Sequence, residues 1–170
     1  MINQAYCQLM ATYNEWMNHK LYAICATLSE GDRTRDLGAF FHSIHGTLNH
    51  LLHGDRIWLG RFTNARTSLP PIGHILYADF AELQHEREQT DRDLLNWAAS
   101  ISEAWLEKPF EYTSAIDSET RVLPAWVLVT HLFNHQTHHR GQLTTLLHQL
   151  GHDPGVTDVP WLPGLDTWAK

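Results

Sequence analysis

The chain has 170 residues, 43% of them hydrophobic, and sets 12 lysines and arginines against 19 aspartates and glutamates for a net charge of −7. That length and apolar content suit one domain, residues 1–170, with a real core, and exclude a disordered chain. The acidic balance argues against nucleic-acid binding, which needs a basic face, and the absence of an apolar run of about 18 residues argues against a membrane span.

The first predicted helix runs from about Asn3 to Leu28. Tyr6, Leu9, Met10, Tyr13, Met17, Leu21, Ile24 and Leu28 recur at spacings of three and four, which marks one buried face. The N-terminal stretch, residues 1–16, lacks the basic region followed by an apolar block of a signal peptide. Both cysteines, Cys7 and Cys25, fall in this helix about 27 Å apart, too far to bridge. Reduced thiols fit a cytoplasmic protein. Gly31 is placed as the helix C-cap.

A second helix is expected over Leu37–Phe62, with Phe40, Ile44, Leu48, Leu51, Trp58 and Phe62 on one stripe. Pro70 and Pro71 then enforce a loop, long enough for a crossover connection. A third helix is expected over Asp79–Leu106, with Leu83, Arg87, Leu94 and Trp97 on its faces. Between Lys108 and Leu123 the pattern alternates around Asp117-Ser118-Glu119-Thr120, which suits a short hairpin or an ordered loop. Pro124 opens a fourth helix that Gly151 stops. The tail from Asp153 to Lys170, with three prolines, is expected to lie irregularly across the bundle. Four such helices predict an all-α fold, a four-helix bundle. Seven tryptophans exceed what one small core needs, which points to an aromatic dimer interface.

Thirteen histidines are many for this length. Histidine is the commonest metal ligand, so their spacing matters. On the fourth helix Leu128, Leu132, Leu143, Leu146 and Leu150 form the inward stripe, with His135 and His139 in its middle. Four residues apart, these two imidazoles project from one face and can share an ion. The alternative is a pair of hydrogen-bonded core histidines. His131 and His138 lie at the stripe edge and read as supporting or surface groups; His148 and His152 read as solvated. A third ligand must come from another helix. On the second, His53 falls opposite the stripe, while His45 and His50 flank it on either side, and spacing does not choose between them. Asp55 lies within the stripe and must be paired, ligating or beside the site.

His135-Gln-Thr-His-His139-Arg140-Gly141-Gln142 resembles the closing motif of the DinB-like (YfiT-like) four-helix-bundle superfamily. Asn49-His50-Leu-Leu-His-Gly-Asp55-Arg56-Ile-Trp58 resembles its second-helix motif, and Tyr13-Asn14-Glu-Trp16-Met-Asn18 its opening. The likeness spans nearly the whole chain. It implies a metal triad of His50, His135 and His139, a zinc or nickel ion, a homodimer, and no link to the DNA polymerase that shares the name. It also implies chemistry with a low-molecular-weight thiol such as bacillithiol, mycothiol or glutathione.

Three histidines leave a coordination position open, which suits catalysis better than a closed structural site. A zincin motif would carry glutamate after the first histidine; here Gln136 stands there and cannot take a proton. Thiol transfer needs no such base, so a metal-dependent thiol S-transferase is the expected activity. A metal-dependent hydrolase, with Asp55 as base, and a non-catalytic metal-binding protein are the alternatives. The expected partner is a small-molecule substrate or thiol. Arg140 and Arg56 are candidates to hold an anionic group of that thiol; otherwise each is a surface arginine.

Overall fold

A computed structural model describes residues 2–65 and 68–169; Lys170, the end of the expected tail, lies outside them. In chain order the elements are α1 (Gln4–Thr27), α2 (Glu30–Thr34), α3 (Ile44–Phe62), α4 (Phe80–Ser100), α5 (Glu103–Glu107), β1 (Pro109–Thr113), β2 (Thr120–Pro124) and α6 (Ala125–Gln149). Two short 3-10 turns, Val159–Trp161 and Leu165–Ala169, follow. The fold is therefore mostly helical, with four long helices and one small hairpin.

Side-chain caps fix where the helices begin. Asn3, Ser43, Asp79 and Ser102 each accept a hydrogen bond from the backbone N–H three residues on, at Tyr6, Gly46, Glu82 and Trp105. Two sequence expectations are corrected by these caps. The second long helix starts at Ile44 rather than Leu37, because Ser43 caps it and the preceding chain turns through Gly38 and His42, both at positive φ. The third ends at Ser100, because Ile101 is extended and Ser102 starts a new turn of helix. Gly31 is likewise no C-cap: Ser29 caps α2, and Gly31 sits inside it. The alternation after Lys108 is a true hairpin, with Phe110 opposite Leu123 and Tyr112 opposite Arg121.

Cross-helix contacts set the direction of each helix. Asn14 and Asn18 of α1 reach Asp91 of α4, while Gln4 reaches Ala99 and Tyr22 stacks on Phe80, so α1 and α4 are antiparallel. Asp55 meets Arg87 and Phe62 stacks on Trp97, so α3 and α4 run parallel. His50 meets His139 while Trp58 meets His131, so α3 and α6 are antiparallel. Parallel neighbours require a crossover, and the segment between Phe62 and Phe80 provides it. Three α3 side chains pin that crossover. Asn49 Oδ1 accepts from the N–H groups of Leu76 and Tyr77, His45 Nε2 meets the Tyr77 carbonyl at 2.9 Å, and His53 Nε2 meets the Pro70 carbonyl at 2.9 Å.

The core has two apolar halves. One gathers Met17, Leu21, Ile44, Leu48, Leu83 and Leu143; the other gathers Trp58, Phe62, Leu94, Trp97, Leu132 and Phe133. Between them lies a belt of buried polar groups drawn from all four long helices. Arg87 Nη1 is 2.8 Å from Asp55 Oδ2 and its Nη2 is 2.9 Å from Asp91 Oδ1. Asn18 Nδ2 donates to Asp91 Oδ1 at 2.9 Å, Arg140 donates to Asn14, and Gln136 donates to Asp55 and to the Leu51 carbonyl. The tail crosses α1 as expected. Tyr13 Oη donates to the Thr157 carbonyl at 2.6 Å, and Leu162 is buried.

Candidate metal centre

The histidines of interest stand on two antiparallel helices at the level of the polar belt. His50 Nε2 lies 3.1 Å from His135 Nε2 and 3.1 Å from His139 Nε2. The three ligand nitrogens are all within 4.8 Å of one another, the one such cluster among the described residues. His45 and His53 are turned away to the crossover, so helix α3 offers His50 alone.

Hydrogen bonding between the rings does not account for this arrangement. One imidazole nitrogen holds one proton or one lone pair, so His50 Nε2 can make one full hydrogen bond or one weaker shared bond, not two full ones, to its neighbouring ring nitrogens. A divalent ion bound at about 2.0–2.1 Å would set two ring nitrogens about 3.0–3.4 Å apart, and the 3.1 Å separations match that spacing. The protonation states agree. Burial, then the neighbouring imidazoles, push His50 down to about 3 and His135 down to about 4. Burial lowers His139 as well. All three rings are neutral at pH 7 and present lone pairs. The Gln142 carbonyl oxygen accepts from His139 Nδ1 at 2.8 Å, which leaves Nε2 of that ring as the lone-pair side. The cluster is thus compatible with binding a divalent ion.

Two close approaches shape it. Phe41 stacks on His50, with ring centroids 3.7 Å apart and planes 19° from parallel. A Cβ on Gly46 would stand 2.2 Å from the Phe41 carbonyl oxygen, so only glycine lets that backbone pass. A Cβ on Gly54 would stand 3.0 Å from His135 Cε1, so Gly54 gives the His135 ring its room.

The cluster forms part of the wall of a cleft of about 620 Å³, which also includes Phe41, Trp58, Tyr112, His131 and the hairpin turn. A cavity of similar size, about 610 Å³ and bordered by Arg56 and Asp93, contains none of the triad.

Comparison with known proteins agrees with this architecture. The model of the DinB family matches residues 1–169. The chain belongs to the DinB family. Protein DinB of Bacillus subtilis (strain 168) is 24% identical, over 86% of this chain and 87% of its own. A crystal structure of a DinB-like protein from Bacillus cereus ATCC 10987 superposes with a TM-score of 0.62 at 17% identity, covering 82% of this chain and 90% of that one.

In this DinB-family chain several sequence readings need adjustment. His135 and His139 are at the edge of the buried stripe of α6, facing the cleft; its centre is Gln136 and Arg140, both buried, with Gln136 Nε2 and Arg140 Nη1 donating into the polar belt. Asp55 is fully buried and paired with Arg87, so it is neither a ligand nor a base facing the cleft. Arg140 is buried and points to Asn14, while Arg56 is part-buried and reaches Thr90, Tyr77 and Glu86; neither borders the cleft. His53, read as opposite the stripe, is buried under the crossover. His131 and His138 are exposed and border the cleft. Sequence reasoning missed Arg61 and Phe41, which reach the cleft from the last turn of α3 and from the irregular chain before it.

Proposed function

We propose that His50, His135 and His139 hold one divalent ion, zinc or nickel, and that the protein is a metal-dependent thiol S-transferase. The observation that carries this reading is the convergence of three neutral imidazoles on one point at the floor of an open cleft. When bound, the ion supplies Lewis acidity to a small thiol at a coordination position the protein leaves free. The chain's own residues do the rest. Gln142 holds the proton on Nδ1 of His139, Phe41 holds the His50 ring flat, and the cleft walls of Trp58 and Tyr112 exclude water from one side of the reacting partners. Among the described residues no carboxylate borders the cleft, which favours thiol attack over water attack assisted by a carboxylate base.

The test has two parts. Elemental analysis should find one ion per chain, and His135→Ala should lose it; retention of stoichiometric metal by that variant refutes the ligand assignment. A conjugation assay with a generic electrophile should show metal-dependent turnover with one of glutathione, bacillithiol or mycothiol. Metal-dependent ester or amide cleavage without thiol transfer would reassign the protein as a hydrolase. Silence in both would favour a metal-binding role. We further propose a homodimer in a cytoplasmic setting, and a monomeric mass by light scattering at micromolar concentration would overturn the dimer.

A further inference from the structure

The cleft beside the histidines has a marked charge asymmetry. The chain as a whole is acidic, yet among the described residues no aspartate, glutamate or lysine borders this cleft, and Arg61 is its one arginine. Arg61 is held in place from two sides. Its guanidinium carbon sits 4.6 Å from the Trp58 ring centroid and 5.3 Å from that of Tyr112. Its Nη2 donates to the Thr113 carbonyl at 2.7 Å, which ties α3 to the hairpin. Among the described residues Nε and Nη1 have no protein acceptor and Nη2 keeps a second N–H, so an adjacent pair of donors on the fork remains for a ligand.

The rest of the cleft is apolar and aromatic. Phe40, Ile72 and Ile116 come from three separate segments, border its mouth, and are 79%, 44% and 91% exposed. Exposed apolar side chains gathered from unrelated segments around one opening mark a surface meant to be covered. Between Arg61 and the histidine floor the wall is continuous: Trp58 meets His131 at 5.2 Å between ring centroids, and His131 meets His135 at 5.7 Å.

We infer that the cleft takes a small organic anion with an apolar or aromatic body, its carboxylate or sulfonate anchored by Arg61 and its reactive end directed to the histidine floor. This names the substrate class for the site and rests on the reading of the cleft as the substrate side of that centre. Arg61 is here a specificity-determining residue. A planar guanidinium pairs with a carboxylate through two parallel hydrogen bonds, and the indole beneath it limits the orientations it has to lose. A neutral analogue of the same shape keeps the apolar contacts and forfeits the pair.

The experiment is calorimetric titration with 4-phenylbutyrate and its neutral amide, on chelator-treated and on zinc-loaded protein. The acid should bind at least about tenfold tighter than the amide in both forms. Arg61→Gln should erase that preference, leave the amide affinity unchanged, and leave metal content at the wild-type value; Arg61→Lys should restore part of the preference. Equal binding of acid and amide to the wild type, or no binding of either at millimolar concentration, overturns the inference. So does a preference that survives Arg61→Gln, or one seen only in the zinc-loaded form, since the ion would then be the anchor. If circular dichroism shows that Arg61→Gln is misfolded, Ile116→Glu replaces it. A carboxylate at that exposed tip should weaken the acid and spare the amide, and equal effects on both would count against the inference. Failure of thiol transfer in the conjugation assay leaves these binding ratios untouched, so the two readings fail separately.

Discussion

At the scale of single residues the centre depends on keeping imidazoles neutral and aimed. An unfolded histidine takes up a proton near pH 6.5, whereas His50 does so only at about 3 and His135 at about 4. Between those values the unfolded chain binds more protons than the folded one, so stability falls as pH drops through that window and levels off below it. Metal-free protein should therefore lose urea resistance between about pH 6.5 and 4, and a His50→Leu variant should lose less. Identical slopes for the two proteins would contradict the burial argument. Gly54 offers a sharper separation of fold from site. Alanine gains up to about 1 kcal/mol in a helix interior, but its Cβ would crowd the His135 ring, which yields by swinging out of the triad. Gly54→Ala should leave the melting temperature of metal-free protein no lower while weakening zinc at least about tenfold by competition with a chromogenic chelator. Unchanged affinity would show that the ring has room to spare. His135 and His139 were legible because an i,i+4 pair is visible in any helical reading; His50 was separated from His45 only by family resemblance. Arg61 was not legible, because its role depends on a hairpin that approaches from fifty residues further along the chain.

At the scale of elements, periodicity located the four long helices and the capping residues corrected their ends. Ser43 and Ser102 are ordinary N-cap residues, but each follows an apolar run that reads as continuous helix, so the breaks at Leu37–Ser43 and Ile101 were hidden by their own hydrophobicity. The tryptophan surplus divides between core and surface. Trp58 and Trp97 are buried and Trp105 packs beside them, so much of the aromatic content fills one half of the core, while Trp161 and Trp168 in the tail are exposed. The crossover was anticipated from its length, but its fastening was not, since a polar side chain facing a loop carries no periodic signal. Asn49 accepts from the N–H groups of both Leu76 and Tyr77 while its amide reaches the carbonyls of His45 and Tyr77. Asn49→Ala strands those two part-buried donors and should cost about 2 kcal/mol, since each donor cut off from its partner costs about 1 kcal/mol where water does not reach it. Urea denaturation gives the energy, and hydrogen exchange should show the Leu76 and Tyr77 amides opening first. A loss below about 0.5 kcal/mol would mean that water replaces the asparagine there.

At the scale of the whole molecule, the buried polar belt and the histidine centre are two readings of the same turns of helix. On α6, His135 and His139 alternate with Gln136 and Arg140, so one pair faces the cleft while the next face, about 100° around, enters the belt. On α3, His50 and Asp55 divide in the same way between floor and belt. Arg87 pairs with both Asp55 and Asp91, and Arg140 joins them through Asn14, so the belt sets two cations among two acidic side chains in the middle of an apolar core. Breaking one partner of such a pair typically costs about 3–5 kcal/mol, because the other charge is left buried. Asp55→Ala should reach that range in urea denaturation and should also weaken metal, since Gln136, next to His135, loses one of its two acceptors.

The two layers also predict how the loaded molecule responds to heat. His50 belongs to α3 and the other two histidines to α6, so an ion held by all three joins two helices that are far apart in sequence. Binding to the folded state alone at one hundred times the dissociation constant adds about 2.7 kcal/mol. For a chain of this size each kcal/mol moves the melting temperature by about 2–4 °C. Zinc at that excess should therefore raise the melting temperature by about 5–10 °C, somewhat less to the extent that histidines of the unfolded chain also bind zinc. His139→Ala should abolish the rise, and Arg61→Gln should preserve it, because Arg61 borders the cleft without belonging to the triad. A full rise in the His139→Ala protein would show that the ion stabilises the fold from some other position.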